Sequence, residues 1–115
     1  MDFTDINMIK TRYIGKLAEL KTALAEYPVL SKKMAKEERE YLIAKSKATT
    51  SLKLEGIQVT LIPTLAKGRA ADQRFDFKVA EGMFHACREN IKRLHAGADA
   101  WRSLLSTAKS EINIR

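Results

Sequence analysis

The clearest pattern of hydrophobic and polar residues is a heptad stripe in the last third of the chain. Steps that alternate between three and four residues from Phe77 to Ile112 meet only apolar side chains. The eleven positions, which we call the α3 seam, are Phe77, Ala80, Phe84, Cys87, Ile91, Leu94, Ala98, Trp101, Leu105, Ala108 and Ile112. Because this spacing aligns apolar side chains on one helix face, it predicts a helix over residues 72–111, ~40 residues and ~60 Å long.

An earlier helix is predicted over residues 4–27. The same spacing gives a stripe in which only Lys10 is polar, and its positions are Phe3, Ile6, Lys10, Tyr13, Leu17, Leu20, Leu24 and Tyr27. Thr4 or Asp5 can cap the start of this helix. We expect the helix to end at Tyr27-Pro28, because a residue that precedes proline is disfavoured in the α region.

A further helix is predicted over residues 31–54, followed by a short connector. Ser31 can cap its start, and Glu55-Gly56 is expected to end it. In the connector, Thr60 is a candidate N-cap and Pro63 suits the first turn of a short helix over residues 61–67, which Gly68 would close. A strand through residues 57–62 is the competing interpretation, although the chain offers no partner strand.

Together these elements predict an all-α fold. We expect residues 1–115 to form a single domain, an elongated helical hairpin or bundle with a long, coiled-coil-like C-terminal helix. That helix is predicted to be much longer than its neighbours, so a second copy of the chain is expected to cover it. A monomeric antiparallel bundle, in which the chain folds back on itself, is the alternative. The seam residues expected to form this core or oligomer interface are Phe84, Cys87, Ile91, Leu94, Trp101 and Leu105.

The distribution of charge points to an acidic partner. Lys and Arg number 21 against 14 Asp and Glu, which gives a net charge of +7 and a pI near 9.7. Five basic residues, which we call the basic stripe, fall within roughly 120° on the predicted second helix, opposite its apolar face. They are Lys32, Lys36, Arg39, Lys47 and Lys53. With Lys67, Arg69 and Arg74 they are the candidate nucleic-acid-binding residues, although an amphipathic helix can present such a face to solvent alone.

The sequence offers no convergent set of reactive groups. His85, His95 and Cys87 do not stand at the spacing of metal ligands, and no phosphate-binding loop or nucleophile motif is present. We therefore expect no catalysis, no metal and no cofactor. A single cysteine, no signal peptide and no long apolar run are the features expected of a cytoplasmic protein that does not enter a membrane.

One stretch resembles a known group of proteins. The run from Leu52 to Ile62, with its G-x-x-V-T-x-I pattern, followed by Ala66-Lys67-Gly68, is similar to small helical proteins of phages and mobile elements. The layout over residues 41–112 also resembles that of the UvsY-type recombination mediators of large phages. In that resemblance, Lys78-Val79 and Ile91-Lys92 correspond in placement to basic–aliphatic pairs of the mediators' long helix. This chain is shorter than the mediators, and its connector is reduced to residues 56–72.

The resemblance implies a non-enzymatic accessory protein of phage DNA recombination or replication, acting in the bacterial cytoplasm. Such a protein would form a homo-oligomer through its C-terminal helices, bind single-stranded DNA, and assist a recombinase on strands covered by single-strand-binding protein. Two other classes stay open at this point. One is a helical adaptor or inhibitor that binds a protein, such as an anti-defence protein, and the other is a structural coiled-coil subunit.

Overall fold

The computed structural model describes residues 2–114 of the chain, without the side chains of Phe3 and Ile114. Three helices make up this part of the chain, α1 (Phe3–Leu54), α2 (Ile62–Arg69) and α3 (Ala71–Ile114), and it contains no strand. The predicted all-α fold with a long C-terminal helix is therefore confirmed. Phe3, the first position of the predicted N-terminal stripe, lies outside the described side chains.

The first two predicted helices are a single helix. α1 has 52 residues and contains Pro28, so the predicted end at Tyr27-Pro28 is wrong. The proline ring leaves the carbonyl of Leu24 without its usual N–H partner, and an interior proline costs ~3 kcal/mol relative to alanine. Leu24 and Pro28 are both exposed, so water can hydrate that carbonyl. Ala23, before the proline, is buried and Met34, after it, is half-buried, so α1 packs on both sides of Pro28.

α1 is long enough to provide the neighbour that the prediction for α3 lacked. A second copy was expected because no predicted neighbour was long enough to cover α3. With its 52 residues, α1 supplies that neighbour, and α3 has 44 residues. Every position of the α3 seam is buried or half-buried within the chain itself. Burial of the seam therefore needs no second subunit, and self-association stays a prediction.

The chain packs as two compact units, each built from parts of α1 and α3. Unit 1 contains residues 1–27 and 86–115, and unit 2 contains residues 28–85. In unit 1, Ile9 packs with Leu105 and Ala108, whereas Leu20 and Ala23 pack with Leu94. Residue numbers rise along α1 as they fall along α3, so the two segments of unit 1 run antiparallel.

The register of α1 in unit 1 agrees with the predicted stripe only in part. Ile6, Tyr13 and Leu20 are buried or half-buried, as predicted. Ile9 and Ala23 are buried, whereas Lys10, Leu17 and Leu24 of the prediction are exposed. At Gly97 of α3 the two helices can approach closely, because this residue has no side chain. The aliphatic part of Lys16 lies over Gly97, where an added Cβ would meet the lysine Cδ at 3.6 Å. The Lys16 ammonium extends outwards to Glu19 at 3.5 Å, so a lysine occupies a core-facing position without burying its charge.

In unit 2, the end of α1 is a Schellman motif, as Glu55-Gly56 predicted. The N–H of Ile57 donates to the carbonyl of Leu52 at 3.2 Å, and the N–H of Gly56 donates to Lys53 at 3.2 Å. Gly56 has φ +78°, a conformation that side-chain-bearing residues rarely adopt. Ile57 packs on Leu52, which supplies the hydrophobic contact typical of this motif.

The connector continues into a short helix rather than a strand. α2 begins after Leu61, which is its N-cap in place of the predicted Thr60, and Pro63 lies in its first turn as predicted. Gly68 lies inside α2 instead of closing it, since the helix continues to Arg69. Ile62 and Ala66 are buried against Ala48 and Leu52 of α1, and Tyr41 stacks on Phe77 with ring centroids 6.2 Å apart. These contacts fix α2 and the start of α3 on the second half of α1.

Replacement of Pro28 by Ala is expected to raise the free energy of unfolding by about 2 kcal/mol. Alanine restores the N–H that Leu24 lacks and removes the steric clash of the ring, and the greater freedom of the unfolded chain offsets part of that gain. Urea unfolding followed by circular dichroism measures the change. Ala25→Gly, at another exposed position of α1, is the matched control and should lower stability by ~1 kcal/mol. An unchanged or lower midpoint for Pro28→Ala would contradict a continuous helix at this position.

Candidate nucleic-acid interface

The basic stripe occupies the outer face of the second half of α1. Ala48 and Leu52 direct the opposite face of that helix into the core of unit 2. All five members of the stripe, Lys32, Lys36, Arg39, Lys47 and Lys53, are exposed. From Lys32 to Lys53 the helix rises ~30 Å, so the stripe presents its cations as a row rather than as a cluster.

The stripe lacks the ion pairs that occur along α3. On α3, Lys78 pairs with Glu81 at 3.4 Å, and two further basic residues of that helix also pair with acids three positions away. Within residues 2–114, no ion pair includes a member of the basic stripe. Its charge is therefore available to an anionic partner.

A surface groove runs beside the N-terminal end of the stripe. Its lining residues are Val29, Lys32, Lys33, Lys36 and Glu37. Lys33 is exposed and was missing from the predicted set, because it stands 100° from Lys32 on the helix and so falls outside the arc of the stripe. The structure thus adds a third lysine to this end of the interface.

Lys67 and Arg74 come together at the joint between α2 and α3. The joint is tight, since Ala70 is the only residue between the two helices and its carbonyl accepts the N–H of Arg74 at 2.9 Å. Lys67 and Arg74 line one groove there, with Gly68 and Ala71 as its floor. Both side chains are exposed, and neither forms an ion pair within the described residues.

The third cation predicted in this region, Arg69, is already engaged. Its guanidinium donates two hydrogen bonds to Glu55, at 3.2 Å to Oε1 and 2.9 Å to Oε2. The hydrogen bond from Arg69 lowers the pKa of the Glu55 carboxyl below its ordinary value, and the same hydrogen bond raises the pKa of Arg69. The fork joins the exit of α1 to the end of α2, so Arg69 holds the connector in place and presents less free charge than its neighbours.

The Glu55–Arg69 fork is expected to make a small, pH-dependent contribution to stability. Because the folded-state pKa of Glu55 is lowered, this contribution is present above the ordinary pKa of glutamate and is lost as pH falls through the lowered value. Glu55→Gln should therefore melt below the wild type at neutral pH and together with it in acid. Thermal melts across the pH range test this, with Glu38→Gln, an exposed glutamate outside any ion pair of residues 2–114, as the control. A Tm difference that persists in acid would contradict the assignment.

The histidines and the cysteine do not assemble into a site. His85 and His95 are exposed, whereas Cys87 is buried and its thiol lies 3.6 Å from the carbonyl of Ala23. No group of three or more metal-ligating side chains among residues 2–114 is placed to hold an ion. In the same part of the chain, no helix combines the length and the apolar character needed to cross a bilayer.

The structure also exposes an aromatic residue that the sequence pattern did not single out. Phe75 lies on α3 before the first seam position and is 68% exposed. It lines a groove between α3 and α1 together with Lys33, Glu37, Asp76, Val79 and Ala80. The only signal in the sequence was an aromatic residue off the heptad stripe, which by itself does not distinguish a site from a helix end.

Comparison of the chain with protein-family models, curated proteins and solved structures gives no match.

Proposed function

We propose that this chain is a non-enzymatic accessory protein that binds nucleic acid, with single-stranded DNA as the favoured ligand. The observation that supports the proposal is the basic stripe, a row of five exposed and uncompensated cations on one face of α1. Phosphate groups along one strand form a row of negative charges, and lysine and arginine neutralise them with release of counterions. Lys67 and Arg74 supply a second pair of free cations in the same unit.

The place of this activity is DNA recombination or replication of the phage type, in the cytoplasm of a bacterial host. The resemblance in layout to the UvsY-type mediators supports this part of the proposal. A recombinase or a single-strand-binding protein is the expected protein partner on that ground. The proposed role requires no catalytic step and no cofactor, since the protein would only bind a DNA strand and present it to that partner.

Self-association belongs to the same proposal, on a different surface from the seam. In unit 1, Ile14, Leu17 and Leu24 are 55%, 41% and 47% exposed along one side of α1. Apolar side chains that recur along an outer helix face are typical of a contact with a further helix. Sedimentation equilibrium of the wild-type protein measures the mass, and a monomer at all concentrations would remove this part of the proposal.

The experiment that tests DNA binding is fluorescence anisotropy of a labelled single strand of about 30 nucleotides, longer than the ~16 of the largest single-fold sites. The affinity should fall steeply as salt rises, with a slope of log K against log salt of about −3 if four or five phosphates are neutralised. The affinity for a duplex of the same sequence, measured in the same way, shows whether single-stranded or double-stranded DNA is preferred. No binding at low salt would exclude nucleic acid, and a protein partner captured under the same conditions would then favour the adaptor class.

A further inference from the structure

Phe75 is the most exposed aromatic side chain of unit 2 and lies next to the basic groove of α1. It is 68% exposed on the first turns of α3, whereas the seam residue Phe77, two positions later, stacks on Tyr41. The rest of unit 2 leaves most of the Phe75 side chain uncovered, so the ring is available to a ligand.

The surroundings of Phe75 connect it with the lysines of the stripe. The groove beside the ring is lined on the α1 side by Lys33 and Glu37. Lys33 and Glu37 also line the neighbouring groove, which contains Lys32 and Lys36. The two grooves therefore share a wall, and a continuous surface leads from the aromatic ring across α1 to the free cations.

The acidic and basic side chains of this surface lie in different places, as the base and the phosphate of a nucleotide would require. Glu37 and Asp76 place carboxylates in the groove that contains Phe75, which disfavours a phosphate there. A nucleobase is uncharged, has a face that can stack on the ring, and carries N–H groups that a carboxylate can accept. The phosphate would bind in the neighbouring groove, beside Lys32, Lys33 and Lys36.

We propose that Phe75 is a base-stacking residue for single-stranded nucleic acid, with Lys32, Lys33 and Lys36 holding the adjacent phosphates. The inference rests on the proposed function and names how that site distinguishes strand states. In a duplex the base faces are covered by their neighbours, so a ring on the protein surface can stack only on a base of an open strand. The surface therefore favours single strands over duplexes of the same charge.

Replacement of Phe75 by Ala is expected to lower single-strand affinity on the order of 10- to 100-fold, the range found for loss of one stacked base. The salt slope should stay unchanged, because no phosphate contact is removed, and duplex affinity should not move. Phe75→Trp keeps a stacking face and should retain binding. Met83→Ala, at a residue of α3 that is 46% exposed and outside this groove, is the matched control and should bind as the wild type does. Circular dichroism verifies that each variant is folded.

The outcomes separate this inference from the proposed function. Wild-type binding that depends on the stripe but is the same in Phe75→Ala would overturn the stacking role and leave the proposed function intact. Absence of wild-type binding to any strand would overturn both. An unchanged affinity together with a lower mass in sedimentation of Phe75→Ala would overturn the stacking role by showing that the ring contacts a second copy.

Discussion

Reversal of four charges of the basic stripe should abolish the salt-dependent binding of single-stranded DNA. The variant contains Lys32→Glu, Lys36→Glu, Arg39→Glu and Lys47→Glu. If each wild-type side chain neutralises one phosphate, the four changes remove a salt slope of about 3 and replace attraction by repulsion. We expect affinity to fall at least ~100-fold at low salt and to become nearly independent of salt. Anisotropy across a salt series measures both quantities.

Two controls distinguish the stripe from net charge and from helix stability. Lys10, Arg12, Lys21 and Lys109 lie in unit 1, are exposed, and form no ion pair within residues 2–114. Their replacement by Glu changes the net charge equally and should leave most of the affinity. In the stripe variant, residues 36–40 would all be glutamate, and repulsion among these charges can weaken α1. A parallel set with Gln at the four stripe positions removes the charge without that repulsion. Equal losses in the unit 1 variant would show that overall charge, not the stripe, determines binding.

The sequence predicted the inward face of α3 correctly and that of the first half of α1 only in part, because two helical registers compete in α1. Along α3, apolar residues fill every seam position without interruption, so only one face can turn inwards. In α1, the frame through Leu17 and Leu24 is more apolar than the frame through Ile9 and Ala23, yet the second frame is buried. Which frame turns inwards depends on its contacts with α3, which the local pattern of α1 cannot report.

The error at Pro28 has a similar origin. The preference of a residue before proline is a local energy of a few kcal/mol. Packing of α1 on α3 on both sides of the proline outweighs it. The end of the same helix at Gly56 was predicted correctly, because a Schellman motif depends only on neighbouring residues and on the backbone freedom of glycine.

In the candidate site, too, the features that depend on a single helix were predicted from the sequence, and those that depend on contacts between segments were not. Exposure of the basic stripe follows from the helical period of α1 alone, so the sequence could identify its members. Engagement of Arg69 by Glu55 joins residues 14 positions apart, across the connector. The approach of Phe75 to Lys33 joins two helices, and no pattern within either helix contains it. The sequence therefore missed the contacts between distant segments. Those contacts decide which of the exposed charged and aromatic residues are available to a ligand.

Leu94→Asp should unfold unit 1 or lower its free energy of unfolding by on the order of 4 kcal/mol. Leu94 is 3% exposed and packs with Leu20 and Ala23, so the new carboxylate would replace a side chain buried in an apolar cluster. Such a loss is a large part of the 5–15 kcal/mol that stabilises a typical domain. Urea unfolding measures it.

The matched control is Leu104→Asp, the same change on the same helix at a residue that is 40% exposed. Because that carboxylate stays hydrated and only part of the leucine side chain is buried, the cost should be about 1–2 kcal/mol, well below that of Leu94→Asp. The loss in Leu94→Asp should also shrink in acid, since a protonated carboxyl is less costly to bury than a charged one. Similar unfolding midpoints for the two variants would contradict the packing of Leu94 on α1. A change of mass in Leu94→Asp without a change of stability would instead show that this part of the seam faces another copy of the chain.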